Sequence, residues 1–532
     1  MPEPLKIVLF LCNWGPHAAY QALQDRSADI PSEIKMIRIP CSGRISKALL
    51  FKPFEMGADG VLLLGCRSGT CRYGTGTSAA EENTADTRRI MALIGLGGER
   101  LELATFLPDE PEALLTFLQS FADRIRQMGQ SPITRRTRPI AEDTAAGDLP
   151  TTPEAIVAAH DVFACQDCGK CTSACSLALA GKSYSPRFMA AEIIAGRADA
   201  AAVRNAVNSC LTCGICYERC PSAVNFPEFI KSMRIYYHDR EVAAAPAHGG
   251  FFQSMMRAMT SPTLAPQRWR QLPDTIRTRS RGPVLFFGGC APYFDIFFNK
   301  FLGVRTHHIL EDSLRLLNFF DVEPALLENE RCCGHDLLWS GDRDNFLRLA
   351  RLNAEAIAAS GAEELITACP ECCHTLEVEY ARHGVTLPLK ITHMHAFLER
   401  EIDKGAVAFK PLEGCATFQD ACRQSRFSGQ AALPRKLLAP LYGNTPGGLV
   451  DAEAPSICCG NSAWIGCDAD SKAMQVQRLE KARRSGSTTM ITACPKCQIH
   501  LRCAMEDVVR AKQLKMELVD LTSLIAKTIH WE

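Results

Sequence analysis

Cysteine thiolates are the residues in this sequence most able to do chemistry, and there are twenty-six of them. The tightest pattern is Cys165-x-x-Cys168-x-x-Cys171-x-x-x-Cys175, repeated as Cys210-x-x-Cys213-x-x-Cys216-x-x-x-Cys220 with Pro221 next. Three thiolates so spaced cap three corners of a cubane, and the fourth ligand comes from the other run. One 4Fe–4S cluster is therefore expected on Cys165, Cys168, Cys171 and Cys220, and a second on Cys210, Cys213, Cys216 and Cys175. Paired C-x-x-C motifs also build zinc sites, but two copies of a four-cysteine run favour clusters. Ser176 stands where proline usually follows, a departure that removes no ligand.

A second set of cysteines repeats further on. Phe286-Phe-Gly-Gly-Cys290 reads as echoed by Leu412-Glu-Gly-Cys415, Cys332-Cys333-Gly334 by Cys458-Cys459-Gly460, and Cys369-Pro-Glu-Cys372 by Cys494-Pro-Lys-Cys497. From 290 to 415, 332 to 458 and 369 to 494 the offsets are 125, 126 and 125 residues. Constant register over three anchors implies two copies of one α/β unit. Each copy offers five thiolates, more than one ordinary cubane needs. A third set, Cys12, Cys41, Cys66 and Cys71, lies near the N-terminus.

These groups need elements to hold them. Apolar runs at 7–11, 35–39, 61–64 and 101–106 read as strands, with helical patterns between them at 45–56 and 79–94. That alternation predicts a flavodoxin- or Rossmann-like parallel sheet with helices on both faces over 1–130. A Thr-, Arg- and Pro-rich stretch at 131–153 reads as a linker. Residues 154–242 form a small helical module around the two cysteine runs, and 243–282 reads as a second linker. The two α/β units follow, at 283–402 and 403–532. The whole is expected to be a multidomain α/β chain, as 532 residues exceed one hydrophobic core. Cysteine groups placed after strands or at helix starts can converge at one sheet edge, where ligands collect in parallel α/β sheets, and helix N-termini favour anionic thiolates.

Bulk properties exclude several classes. Basic and acidic residues both number 59, so nothing indicates a nucleic-acid partner or a polybasic membrane anchor. No window approaches the apolar length that spans a bilayer. The apolar run at 7–11 is too short for a secretion signal and reads as a buried first strand. Cysteines in close pairs suit metals better than a disulfide framework, and the expected setting is the reducing cytoplasm of an anaerobe. Gly-x-Gly-x-x-Gly opening a helix after a strand is missing, so no flavin or NAD is expected on this chain.

The repeated unit resembles the cysteine-rich CCG domain in the B subunit of heterodisulfide reductases. The preceding module is similar to a bacterial two-cluster ferredoxin and to the C subunit of the same family. The resemblance implies that each complete CCG motif holds a noncubane 4Fe–4S cluster at which a disulfide is cleaved. It assigns Cys290, Cys332, Cys333, Cys369 and Cys372 to one copy and Cys415, Cys458, Cys459, Cys494 and Cys497 to the other. The N-terminal segment, with Cys12-Asn-Trp, Cys41-Ser-Gly-Arg and Gly65-Cys66-x-x-x-x-Cys71-x-Tyr73-Gly74, resembles the delta subunit of methyl-viologen-reducing hydrogenase. That resemblance implies a 2Fe–2S cluster on Cys12, Cys41, Cys66 and Cys71, although Gly15 replaces a cysteine usual in the family. Cys373, Cys422, Cys467 and Cys503 remain over and are expected to be buried free thiols. Cys373-His374 and the pair His393 and His395 could bind zinc, with structural histidines the commoner case.

Two functions follow. The first is an iron–sulfur subunit of a heterodisulfide reductase-like complex. It would be supplied by a flavoprotein resembling that family's A subunit, and by a hydrogenase, formate dehydrogenase or similar redox catalyst. The alternative is a non-catalytic conduit in an electron-bifurcating or class II benzoyl-CoA reductase-type assembly. An iron–sulfur subunit of a hydroxy-acid or glycerol-phosphate oxidase is weaker, because it does not explain the N-terminal segment.

Overall fold

A computed structural model describes residues 5–133, 150–270, 272–405, 407–442, 448–450, 456–509 and 511–531. Most of the expected first linker, 134–149, lies outside the described residues. The chain divides into two compact units, one within Met1–Glu142 and His248–Arg268, the other within Asp143–Ala247 and Trp269–Glu532.

The first unit is built on four parallel strands, β1 (Ile7–Cys12), β2 (Ile34–Ile39), β3 (Gly60–Cys66) and β4 (Leu101–Phe106), in the order β2-β1-β3-β4. Central strand β3 is buried from end to end, as both faces of a parallel sheet must be covered. One face presents Ile7, Leu9, Leu11, Leu62 and Leu64 to Ala19, Leu23, Leu114, Leu118 and Phe121 on the helices Gly15–Asp25 and Pro111–Met128. The helices Lys47–Glu55 and Gly76–Leu93 pack together, joined by a buried ion pair of Lys47 with Asp86 at 2.7 Å.

The stretch 243–282 is not simply a linker. It contains the helix Phe251–Ala258, which packs on Lys47–Glu55, with the Phe251 and Phe51 rings 5.5 Å apart. Phe251, Phe252, Met255 and Met256 are fully buried, and the Gln267 amide donates to the Leu93 carbonyl at 2.8 Å. Neighbouring Pro and Arg residues mask a short run whose apolar face is wide enough to bury.

In the second unit, the helices Pro153–Ala159, Pro186–Ile194, Ala201–Ser209 and Phe226–His238 enclose Val157, Ile193, Val207, Phe229 and Met233. Three of them start alike. Thr152, Ser185 and Asn225 accept a bond from a first-turn amide, and proline occupies an opening position. Two parallel sheets follow. The first holds β5 (Val284–Phe287), β6 (Glu364–Thr367) and β7 (Lys390–His393) in sequence order. The second holds β8 (Ala416–Gln419), β9 (Leu449–Val450), β10 (Thr489–Thr492) and β11 (Glu517–Asp520) in the order β11-β10-β8-β9. Ala325 makes a parallel bridge to Leu285 where β9 pairs with β8. The two copies therefore share one topology, with β5 equivalent to β8, β6 to β10 and β7 to β11.

Candidate metal centres

In the first unit β1 and β3 end side by side, where the strand order reverses, and their last residues carry Cys12 and Cys66 with sulfurs 3.8 Å apart. Such a switch point is where open α/β sheets bind ligands. Cys41 follows β2, and Cys71 lies on the loop between β3 and the helix Gly76–Leu93. Gly76 draws these two together, since a Cβ there would stand 2.8 Å from the Cys71 sulfur and 2.9 Å from that of Cys41. Burial pushes the Cys66 thiol up to about 11. Burial also opposes ionisation of Cys71, but the amides of Tyr73, Gly76 and Thr77 outweigh it and hold that thiol below its usual value. Gly15 leaves no room for a fifth ligand, because a Cβ would meet the Phe106 carbonyl oxygen at 2.8 Å. Four thiols at one strand edge suit an iron–sulfur group.

The helical module shapes its two runs identically. Asp167 and Gly169 take left-handed backbone conformations, as do Thr212 and Gly214 at the same places in the second run. Left-handed residues in such loops form the amide-lined concavities that bind anions and iron–sulfur groups. Cys175 joins Cys210, Cys213 and Cys216 around one cavity, the set expected from spacing. Burial raises the Cys175 thiol to about 12. The Tyr184 hydroxyl, buried against Cys210, finds no nitrogen or oxygen partner among the described residues, so the cavity's donors suit a sulfur-rich group. Cys165 and Cys168 are exposed. The helix Ile215–Glu218, which leads to Cys220, packs on Lys170–Ala174, which carries Cys171.

The first CCG copy gathers all five of its expected cysteines. Cys290 follows β5, and its sulfur lies 3.1 Å from that of Cys332. The Cys333 thiol lies within interaction range of Cys372, and Cys372 of Cys369. Hydrogen bonds from the Cys290 and Cys333 thiols hold Cys332 well below the ordinary thiol value. Gly334 is left-handed, and a Cβ there would meet the Phe346 ring at 2.8 Å, which is why the pair is followed by glycine. In the second copy Gly460 repeats this, its Cβ position 2.8 Å from the Ser471 carbonyl oxygen. There Cys458, Cys459, Cys497 and Cys494 form a similar chain of thiols. Hydrogen bonds from Cys458 and Cys497 bring the Cys459 thiol down to about 5.

One expected ligand is not brought to this group. Cys415 precedes β8, at the edge opposite Cys494, with its sulfur 3.8 Å from Ser485 O and Ser487 Oγ. Cys422 instead lies three residues after β8, as Cys290 lies three after β5, and it stands within electrostatic reach of Cys459 and Cys213. Pairing Cys290 with Cys415 follows the shared Gly-Cys letters. Pairing whole strands, Val284–Phe287 with Ala416–Gln419, is the signal that finds Cys422. Of the other remaining cysteines, Cys373 is buried, Cys467 is exposed, contrary to expectation, and Cys503 accepts a bond from Lys472. His393 and His395 share a hydrogen bond network with Gln424, and His374 faces Glu379 at 3.4 Å, as structural histidines do.

The groups of the second unit touch. The Cys213 and Cys458 thiols lie within interaction range of each other, joining the helical module's buried site to the second CCG copy. The cavity holding the first copy's thiols is also lined by His335, Asp336 and Glu371 and, from the second copy, by Pro495 and Lys496. Lys496 bridges the Asp336 and Glu371 carboxylates. Burial works against its charge, but the two carboxylates outweigh burial and hold the ammonium well above its usual range. Burial, helped by the Lys496 and Arg423 charges against the pull of Glu371, keeps His335 neutral.

Comparison with known proteins finds a likeness for several segments of the chain. Residues 7–129 match the family described as methyl-viologen-reducing hydrogenase, delta subunit, 164–225 a 4Fe-4S dicluster domain, and 284–377 and 416–502 a cysteine-rich domain. The second cysteine-rich match begins after Cys415 and includes Cys422. The D subunit of the dihydromethanophenazine:CoB–CoM heterodisulfide reductase of Methanosarcina acetivorans is 26% identical over 61% of this chain and 78% of its own length. The B subunit of the CoM/CoB fumarate reductase of Methanothermobacter marburgensis is 24% identical over 90% of this chain and 91% of its own. The vhu iron-sulfur D subunit of the F420-non-reducing hydrogenase of Methanococcus maripaludis is 29% identical over 25% of this chain and 98% of its own. No helix among the described residues is long and apolar enough to cross a membrane. By its segments, the chain is related to iron–sulfur electron-transfer subunits of multisubunit oxidoreductases.

Proposed function

We propose that this chain is the iron–sulfur subunit of a cytoplasmic heterodisulfide reductase-like complex, with one 2Fe–2S site, two cubane sites and two noncubane CCG sites. The observation that carries the reading is the wall of the first CCG cavity, where Pro495 and Lys496 come from the second copy's Cys494-Pro-Lys-Cys497. A cavity where the two copies meet beside one thiol set suits a substrate with two linked sulfurs.

The clusters, when bound, supply one-electron steps, and cleaving a disulfide takes two electrons and two protons to give two thiols. The chain's own residues hold and shield those sites. Cys12, Cys41, Cys66 and Cys71 would carry the first site, Cys165, Cys168, Cys171 and Cys220 the exposed cubane, and Cys175, Cys210, Cys213 and Cys216 the buried one. Cys290, Cys332, Cys333, Cys369 and Cys372 would serve the first CCG site. Cys422, Cys458, Cys459, Cys494 and Cys497 would serve the second. Lys496 bridges Glu371 and Asp336 beside the first site and offsets part of their negative charge, which would otherwise oppose an anionic thiolate there more strongly. A flavoprotein and a separate redox catalyst, such as a hydrogenase or formate dehydrogenase, are the partners this reading requires.

Anaerobic iron, sulfide and zinc analysis with EPR tests it. Full occupancy gives about 18 iron atoms per chain, two in the N-terminal site, eight in the helical module and eight in the repeats. Disulfide turnover should then fall to background in both Cys333→Ser and Cys459→Ser. Iron near about 10 atoms with zinc present, or turnover surviving both substitutions, would leave the chain a conduit.

A further inference from the structure

Buried arginines almost always meet a carboxylate, and Arg423 and Arg234 do not. Arg423 is 2% exposed and Arg234 is 1% exposed, and among the described residues neither has a carboxylate within ion-pair distance. Both donate instead to the loop between Cys210 and Cys213 and the turn before it. Arg423 donates through Nη1 to the Thr212 carbonyl at 2.9 Å and through Nη2 to the Thr212 hydroxyl at 3.3 Å. Arg234 donates to the carbonyls of Val207, Asn208 and Cys210. Carbonyl oxygens satisfy the N–H groups but leave the positive charges without an anion.

Arg423 also stands at a junction. It directly follows Cys422, and its Nε lies 3.2 Å from His335 Nε2, two residues beyond Cys333. Its guanidinium is clamped between the Trp339 and Phe427 rings, 3.9 and 4.1 Å from their centroids. A guanidinium cannot shed its proton at any ordinary pH, so this charge is permanent and held in place. The other cysteine run differs. Cys165 and Cys168 are exposed, and Arg187, which packs on this run, is paired with the exposed Asp167 in solvent, where screening weakens it.

Resting on the cluster reading above, we propose that Arg423 is a positioning residue whose unpaired charge raises the reduction potential of the site at Cys175, Cys210, Cys213 and Cys216 above that of the site at Cys165, Cys168, Cys171 and Cys220. Reduction adds a negative charge to a site. Burial alone disfavours that charge, and a fixed cation in a poorly screening interior favours it. Arg423 thus sets an electrical slope from the exposed site toward the CCG copies. It acts on the site through the Thr212 loop.

The test is an anaerobic redox titration of the full chain with its clusters in place, followed by EPR, with Cys175→Ser used to assign the two cubane signals. Arg423→Gln keeps an N–H donor but removes the charge, and Arg423→Lys keeps the charge. In R423Q the reduced-to-oxidised ratio of the buried site at a fixed potential should fall about tenfold, equal to about 59 mV for one electron, while the exposed site stays within about twofold. R423K should move the buried site less than about threefold. An unmoved buried site in R423Q, or an equal shift in R423K, overturns the proposal. So does iron loss in both variants, which would assign Arg423 to folding. Wild-type protein lacking both cubane signals would instead overturn the cluster reading on which it rests.

Discussion

Cys415 and Cys422 bracket β8, the first before Ala416 and the second just after Gln419. In a parallel sheet only one end of the strand faces the ligand edge, so one of the two can serve the second CCG group. Cys422→Ser should lose about four iron atoms and the EPR signature of that group, whereas Cys415→Ser should keep both, as its sulfur meets Ser485 and Ser487 at the opposite edge. Metal analysis of the two variants side by side decides this. Most of the other clustered thiols were legible as letters, because C-x-x-C and Cys-Cys-Gly fix several thiols locally. Cys422 was not, since what identifies it is its distance from a strand end.

At the scale of single elements, caps and turns do the positioning. Asp520 ends β11 and caps the helix Leu521–Thr528 by accepting from the Thr522 amide at 2.9 Å. Burial raises its carboxyl to about 7, in spite of that bond. A carboxyl raised in the folded state binds its proton more tightly there than in the unfolded chain. Its stabilising contribution is full below the unfolded value of about 4 and is lost as pH rises to about 7, a difference on the order of a few kcal/mol. Asp520→Asn should therefore flatten the fall in thermal stability between those limits, measured by calorimetry under anaerobic conditions. A fall of unchanged size would show that Asp520 ionises as freely folded as unfolded. The matching left-handed turns at Asp167 and Thr212 are elements of the same kind, readable from the repeat of the cysteine run.

Across the whole second unit, the helical module and the first CCG copy are tied by a buried ion cluster. Lys231 lies 2.7 Å from Glu379 and 2.6 Å from Glu228, with its ammonium 4.8 Å from the Trp339 ring centre. Removing Lys231 leaves the two buried carboxylates with the half-exposed Arg382, 3.0 Å from Glu228, and breaking a buried pair costs about 3–5 kcal/mol. Lys231→Met should show that loss in anaerobic denaturant titration, and adding Glu379→Gln should restore part of it. A loss below about 1 kcal/mol, the worth of an exposed pair, would mean that the cluster is wet in solution.

The sequence by itself determined that thiols cluster in the helical module and in the first CCG copy, that an internal repeat exists, and where four strands of the first unit lie, close to their observed limits. It could do so because thiolate spacing and apolar alternation are local properties of the chain. Only the tertiary structure decided which cysteine completes the second copy, that Phe251–Ala258 belongs to the first unit's core, that Cys213 meets Cys458, and that Arg423 lies buried beside Thr212 and His335. Each of those depends on residues far apart in sequence, or on which end of a strand faces a neighbour, and neither leaves a periodic trace in the order of amino acids.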